Sequence, residues 1–129
     1  MIADSTFVSD FLKELRRGER GPARHFFAAQ RGGIIRTTII TAGELAILFP
    51  TSAAAWAWLG KWKIYGLHRG IVDAAVEIDR ALIAEGQRLG ENDNWIAGFA
   101  AYYREPLISH DVAFDRAPGV RRVVYDRPA

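Results

Sequence analysis

The sequence predicts an α/β domain in which a parallel sheet carries helices on both faces. Short apolar or β-branched runs alternate along the chain with stretches of helical periodicity, and strands separated by helices pair in parallel. The 129 residues fit a single domain, 1–129, because no linker, low-complexity tract or internal repeat divides them. Half of the residues are hydrophobic, which suggests that another chain covers part of the apolar surface.

Composition narrows the class of protein further. The net charge is +2, and arginine outnumbers lysine 14 to 3. This excess suits phosphate binding, although an Arg- and Ala-rich chain also results from a GC-rich genome. The absence of cysteine excludes disulfides, thiol catalysis and cysteine metal sites. No signal peptide and no apolar stretch of membrane-spanning length is visible, so we expect a soluble, cytoplasmic protein without a membrane partner.

The chain is predicted to open with a short strand and an amphipathic helix. Residues 1–3 are apolar and form the predicted strand. The helix covers 5–17, with Ser5 or Thr6 as its N-cap and Gly18 as its stop. Its apolar face is formed by Phe7, Val8, Phe11, Leu12 and Leu15.

The next segment predicts a helix, a strand and another helix. The helix of 21–33 has Pro22 in its first turn, where proline is tolerated. The β-branched run 34–38 reads as a strand. A helix over 40–49 is closed by Pro50.

The remaining elements continue the alternation of helices and strands. The longest helix has a buried stripe at helical spacing, formed by Ile71, Ala75, Ile78 and Leu82. The predicted elements, in order, are helix 52–63, strand 64–67, helix 70–90, helix 93–103, strand 106–109, a turn with Phe114 and strand 121–125.

Four acidic residues fall close to the carboxyl ends of these strands, where ligands bind in open parallel sheets. Asp4 directly follows the first strand, and Asp111 follows strand 106–109 by two residues. Glu44 lies in the helix that leaves the second strand, and Asp93 opens a helix. We therefore expect the four carboxylates to gather at one edge of the sheet.

Each acid alone also has an ordinary structural interpretation. Asp4 and Asp93 are suitable helix N-caps, and Asp111 is a suitable turn residue. Glu44 stands among apolar residues, which favours a buried or pocket-facing position.

Taken together, the four acids indicate a cation site. Two like charges ~4 Å apart repel by about 4 kcal/mol at an effective dielectric constant near 20, so a cluster needs a counter-ion or a proton. Oxygen ligands without His or Cys favour Mg²⁺ or Mn²⁺. A divalent ion held in this way polarises a phosphoryl oxygen and produces a hydroxide nucleophile, as a phosphodiesterase requires.

Four segments, in order along the chain, carry a family resemblance: "IADST", "TTIITAGEL", "LGENDNWIAGFA" and "PLISHDVAF". Together they resemble the PIN domain family, and within it the VapC-type ribonuclease toxins of bacterial toxin–antitoxin pairs. The third segment, with an Asp ahead of Trp-Ile-Ala, is the most specific of the four. His110 stands where we would expect Arg or Asn.

The resemblance implies a three-layer α/β/α fold with a central parallel sheet. It also implies an endoribonuclease that depends on Mg²⁺ or Mn²⁺, with Asp4, Glu44, Asp93 and Asp111 as its catalytic and metal-binding acids. Ser5 or Thr6 would supply a hydroxyl beside them. The implied partners are an RNA substrate, a cognate antitoxin and a second copy of the chain within a toxin–antitoxin complex, with DNA reached only through the antitoxin.

Details of the site allow alternatives. Asp115 is a substitute for Asp111 as the fourth acid. With Asp93 at the helix start, the helix dipole favours its ionised form, and Asn92 or Asn94 would then cap the helix.

Aromatic and basic clusters have two interpretations each. Trp58 and Trp62 share a helical face opposite to Trp56, so one face should pack in the core, while the other could receive an antitoxin helix. A second cluster is either a solvated face or an RNA backbone contact, and it consists of Arg16, Arg17, Arg20 and Arg24.

Two other functions are compatible with the pattern. A PIN-like domain that has lost catalysis would serve as an RNA- or protein-binding adaptor, but all four acids are present. A phosphoacceptor α/β domain also clusters acids, but it needs a lysine near them, and Lys13, Lys61 and Lys63 are not near a candidate acid in sequence.

Overall fold

The computed structural model describes residues 1–30 and 33–126. Within them, five short strands form one parallel sheet in the order β3-β2-β1-β4-β5. The strand that comes first in the chain therefore lies at the centre of the sheet. The strands are β1 (Ile2–Ala3), β2 (Arg36–Thr38), β3 (Lys63–Tyr65), β4 (Leu107–Ile108) and β5 (Arg122–Val123).

Six α-helices and one 3₁₀ helix occupy the described residues. The second helix, predicted over 21–33, ends earlier, at Ala29 with Gln30 as its C-cap; residues 31 and 32 lie outside the described residues. The α-helices are α1 (Ser5–Arg16), α2 (Pro22–Ala29), α3 (Ile39–Ala46), α4 (Ser52–Leu59), α5 (Arg69–Glu85) and α6 (Glu91–Tyr103), and the 3₁₀ helix is Val112–Arg116.

Helices cover both faces of the sheet, which confirms the predicted three-layer α/β/α architecture. Ile2 and Leu107, which are register partners, point to the face where α5 and α6 pack. Their neighbours Ala3 and Ile108 point to the opposite face, against α1 to α4. Consecutive strand residues alternate between faces, so β1 and β4 each contribute one side chain to each core.

The buried stripe predicted for the longest helix is confirmed: Ile71, Ala75, Ile78 and Leu82 are each at most 3% exposed. This helix, α5, stops at Gly86, whose φ of 66° is a left-handed conformation that favours glycine. It packs against α6, where Gly98 lies so close that an added Cβ would stand 2.8 Å from the Cβ of Ala75. The glycine at 98 is therefore required by helix packing.

The apolar face predicted for the first helix is partly wrong. Leu15 is 40% exposed, whereas Glu14 is buried. The Glu14 carboxylate accepts hydrogen bonds from the backbone N–H groups of Ala23 and Arg24, both at 3.0 Å. Helix α2 has no capping side chain of its own, so a residue of α1 satisfies the donors at its start.

The helices around residue 50 are shorter than predicted. Helix α3 ends at Ala46 instead of 49, because the amides of Leu48 and Phe49 bond three residues back in tight turns. Pro50 disfavours helical geometry in the residue before it. Helix α4 ends at Leu59 and leaves Trp62 in the turn that leads to β3.

Candidate active site

Asp4 lies at the carboxyl end of the central strand. Its Oδ1 accepts a hydrogen bond from the backbone N–H of Phe7 at 2.8 Å and caps α1, so the prediction that Ser5 or Thr6 caps this helix was wrong. The residue is 4% exposed. Burial raises the pKa of Asp4 from its usual 3.8 to about 6, against the lowering effect of hydrogen bonds with Ser109 and Phe7. The charges of Asp93 and Asp111 also raise it.

Ser109 is a site residue that the sequence reasoning missed. It follows β4 directly, is fully buried, and its side chain hydrogen-bonds with Asp4. Its Oγ also accepts a hydrogen bond from the backbone N–H of Asp111 at 3.0 Å. Ser109 thus connects the first and fourth acids, and its place at the end of the "PLIS" strand was the signal available in the sequence.

Glu44 extends from α3 towards the start of α1. Ser5 Oγ donates a hydrogen bond to Glu44 Oε1 at 2.6 Å and lies 3.2 Å from Thr41 Oγ1. The hydroxyl beside an acid is therefore that of Ser5, while Thr6 is exposed. Of the two positions expected for Glu44, burial was wrong, because the residue is exposed; it lines a cavity of about 350 Å³ together with Ser5.

Asp93 lies in the first turn of α6, two residues after its start at Glu91. Capping by Asn92 or Asn94 was a wrong prediction, since the N-cap is Gly90 without a side-chain bond and Asn94 Nδ2 donates to the Ala75 carbonyl at 2.9 Å. The helix dipole favours an ionised acid at this position. Burial and the charges of its acidic neighbours outweigh that effect and raise the pKa of Asp93; these neighbours are Asp111 and Glu44.

Asp111 caps the 3₁₀ helix, where its Oδ1 accepts from the backbone N–H of Ala113 at 2.9 Å. Asp115, the substitute considered for the fourth acid, is engaged elsewhere. Both of its oxygens accept from the Arg122 guanidinium, at 2.9 and 3.0 Å, and this pairing lowers the pKa of Asp115. Asp111 is therefore the acid that faces the others.

The structure brings all four predicted acids to the carboxyl edge of the sheet. The charge of Asp93 acts on Asp4, and the charges of Asp111 and Glu44 act on Asp93. Within residues 1–30 and 33–126, no group of three acidic or histidine side chains is arranged so that it could hold a metal ion. The arrangement is a set of carboxyl groups whose charges act on one another rather than a preformed cage.

Solved structures of known proteins reproduce this arrangement of elements. The chain matches VapBC2 from Rickettsia felis bound to a promoter DNA fragment, with a TM-score of 0.78, 15% identity and coverage of 97% of this chain and 98% of that chain. DNA-bound VapBC from Salmonella typhimurium matches with a TM-score of 0.76, 17% identity and coverage of 95% and 96%.

A third match is VapBC-5 from Mycobacterium tuberculosis, a member of the VapBC family of toxin–antitoxin systems. Its TM-score is 0.56 at 24% identity, with coverage of 70% of this chain and 79% of that chain. The chain has the fold of the PIN-domain VapC toxins. No protein-family model and no curated protein matches the sequence.

The PIN fold confirms the resemblance drawn from the four sequence segments at the level of architecture. The roles of Asp4, Glu44, Asp93 and Asp111 stay predictions, because a shared fold does not assign chemistry to residues. None of the helices within residues 1–30 and 33–126 has the length and apolar character needed to cross a membrane.

The tryptophans divide as the helical spacing predicted. Trp58 and Trp62 are partly buried and pack against the core under α1 to α4, with their ring centroids 5.8 Å apart. Trp56 is 48% exposed. Phe26 also packs against this core, and Phe27 is 41% exposed at its edge.

Proposed function

We propose that the protein is an endoribonuclease that depends on Mg²⁺ or Mn²⁺ and acts as the toxin of a toxin–antitoxin pair. The observation that carries the proposal is the gathering of acids from β1, α3, α6 and the 3₁₀ helix at one edge of the sheet, where their charges act on one another. A fold that places carboxylates against each other needs a cation or protons to balance them. The PIN fold of VapC toxins supports the same conclusion.

The side chains present fit a divalent metal. All four candidate ligands are hard oxygen donors, namely Asp4, Glu44, Asp93 and Asp111. Asp4 is buried and fixed by its bond to Phe7, whereas Glu44 and Asp111 are exposed, each with one oxygen held by a hydrogen bond from Ser5 or from the Ala113 N–H. When bound, Mg²⁺ or Mn²⁺ neutralises the cluster and supplies Lewis-acid activation of water and phosphate.

The chain's own groups orient the reactants. Hydrolysis transfers a proton from the attacking water and delivers one to the departing ribose oxygen. Glu44 is the acid suited to hold the water, because Oε1 is fixed by the Ser5 hydroxyl while Oε2 can still accept a hydrogen bond. Asp4 is suited to hold the metal in a fixed position, because it is buried and its carboxylate makes hydrogen bonds with Phe7 and Ser109.

The test is cleavage of single-stranded RNA by the purified protein. We expect cutting with Mg²⁺ or Mn²⁺, and loss of cutting with EDTA or in the Asp93→Asn variant. An Asp115→Asn variant is the matched control, since Asp115 is occupied by Arg122 and should retain activity. Cleavage that continues in EDTA would end the proposed mechanism.

We also propose a protein antitoxin as the partner. The matched VapBC structures contain DNA from a promoter in one case and bound DNA in another, so DNA would reach this chain only through the antitoxin. A second copy of the chain within the complex and a cytoplasmic location follow from the same proposal. A small neighbouring gene for a DNA-binding protein, and co-purification of its product with this chain, are the expected observations.

One observation favours the alternative of a non-catalytic adaptor: the described residues hold no ready-made group of three metal ligands. Expression in cells separates the two functions. A toxin arrests growth, and the Asp4→Ala variant does not. An adaptor gives the same growth with both proteins.

A further inference from the structure

The outer face of α1 leads away from the acid cluster. Ser5, Ser9, Lys13 and Arg17 follow one another at intervals of four residues, which places them on one side of the helix. The opposite side is buried in the core. The exposed face therefore begins at Glu44 with hydroxyl groups and ends with two cations.

Two adjoining cavities lie along this face. The first, of about 350 Å³, is lined by Ser5, Ser9 and Glu44 at the acid site. The second, of about 380 Å³, reaches Arg17 at the end of the helix. Both are lined by Asp10 and Lys13, so they are neighbours along this face. We call the pair the α1 trough, and its residues are Ser5, Ser9, Asp10, Lys13 and Arg17.

The segment at the cationic end of the trough carries more cations than carboxylates, with five cations against Asp10, Glu14 and Glu19. Five cations lie between residues 13 and 24, and the ion pairs of the described residues involve none of them. These cations are Lys13, Arg16, Arg17, Arg20 and Arg24. Such a surface attracts a polyanion.

The nearby acids are largely occupied. The buried carboxylate of Glu14 accepts hydrogen bonds from two backbone N–H groups of α2. Asp10 accepts a hydrogen bond from the Tyr125 hydroxyl at 2.5 Å. Arg16 donates to the backbone carbonyl of Leu48 at 3.3 Å and so lies on the α3 side of the trough. Glu19 is the remaining exposed acid of this segment.

We propose that the α1 trough carries the RNA strand away from the acids, with Ser9, Lys13 and Arg17 contacting successive phosphates. The inference rests on the proposed function. From Ser5 to Lys13 the helix rises about 12 Å, which is more than one nucleotide of a single strand. Phosphate contacts to hydroxyls and cations position a strand without reading its sequence.

The polar lining favours RNA over a protein segment as the occupant. Hydroxyl and charged side chains, including Asp10, Glu14 and Glu19 beside Lys13 and Arg17, line the two cavities. A docking groove for an amphipathic helix is lined mainly by apolar side chains. Acids at the reaction centre repel the phosphate backbone, so affinity for RNA has to come from cations placed further along the strand. Lys13 and Arg17 occupy that position.

The experiment measures binding of a fluorescent single-stranded RNA to the Asp93→Asn variant over a range of salt concentrations. Adding Lys13→Gln and Arg17→Gln should weaken binding roughly tenfold and make the slope of log K against log salt shallower by about 1.4, because two phosphate contacts are lost. The matched control is Lys61→Gln with Lys63→Gln. It removes the same charge from two residues that line neither cavity of the trough, and should leave the slope unchanged.

Cleavage by the otherwise unaltered chain gives a second measurement. The Lys13→Gln, Arg17→Gln variant should raise KM and leave kcat unchanged, since both residues lie away from the acids. If this variant and the Lys61→Gln, Lys63→Gln control have the same KM and the same salt slope, the trough is not the RNA path, even if the protein cuts RNA. Loss of antitoxin binding with unchanged RNA binding would assign the trough to a protein. Failure of the parent chain to bind or cut RNA would instead overturn the proposed function.

Discussion

Asp4 has two physical roles that act against each other. Its carboxylate caps α1 through Phe7, and its burial beside Asp93 and Asp111 raises its pKa to about 6. Because the folded protein holds this proton more tightly than the unfolded chain does, the free energy of unfolding falls as pH rises from about 4 to about 6. The loss of stability caused by the buried charge of Asp4 is complete above that range.

Asp4→Asn should therefore stabilise the metal-free protein. Asparagine caps a helix as well as aspartate does, so the cap is retained while the buried charge is removed. We expect a gain of about 3 kcal/mol near neutral pH and little gain near pH 4, from the size of the pKa shift. Thermal unfolding in EDTA at the two pH values measures this. A gain of equal size at both would show that the buried charge is not its cause.

The Ser5 hydroxyl is the second residue with a specific expected effect. It donates to Glu44 at 2.6 Å, so Ser5→Ala leaves the carboxylate without its positioning bond. The cost of one hydrogen bond to a charged group corresponds to about a tenfold loss of kcat. Thr6→Ala is the control and should retain the parent kcat; equal losses in both variants would contradict a specific role for Ser5.

At the scale of single residues, the sequence predicts which acids gather but not how they are held. Asp4, Glu44, Asp93 and Asp111 could be proposed because they follow strands or open a helix. Ser109 also follows a strand, but its bond to Asp4 cannot be read from the sequence, since it depends on β1 and β4 being neighbours in the sheet.

Among the elements, the contact between α5 and α6 is the tightest. An alanine at 98 would place its Cβ 2.8 Å from the Cβ of Ala75 and 3.1 Å from its Cα, both in the facing helix. Gly98→Ala should therefore cost about 1–3 kcal/mol of unfolding free energy, as overpacking does.

Gly43→Ala is the matched control for this prediction. Gly43 is also inside a helix, but a Cβ there meets nothing within 4 Å. It should be neutral or stabilise by up to about 1 kcal/mol, because alanine favours helix more than glycine does. Denaturant titration of both variants gives the comparison; equal effects would refute the close approach of α5 and α6.

Element positions follow from periodicity, whereas their ends depend on contacts with other elements. The stripe from Ile71 to Leu82 is readable from sequence because every residue in it faces the same core. The burial of Glu14 is not readable, because the donors that it satisfies belong to α2, nine and ten residues further on. Long-range caps of this kind have no local sequence pattern.

For the molecule as a whole, two hydrophobic cores share one thin sheet. The core against α5 and α6 and the core under α1 to α4 meet at strands of two or three residues, and α3 also contacts α6. Such strands cannot form a stable ladder alone. Each core therefore needs the helices on the other face to hold the shared sheet in place.

We expect the two cores to unfold in one transition, as the single domain 1–129 predicted from sequence requires. Tryptophan fluorescence reports chiefly on the core under α1 to α4, where Trp58 and Trp62 pack. Far-UV circular dichroism reports on all helices. Coincident denaturation curves from the two probes are the expected result, and separate midpoints would show that the halves fold independently.

The two-residue central strand also bears on how far relatives of this protein can diverge. Ile2 serves one layer and Ala3 the other, so a substitution in either changes the packing of one layer and leaves its neighbour intact. Mutations can accumulate in one layer without compensation in the other. The same backbone is then compatible with different side chains in either layer, in keeping with the match to a solved structure at 15% identity.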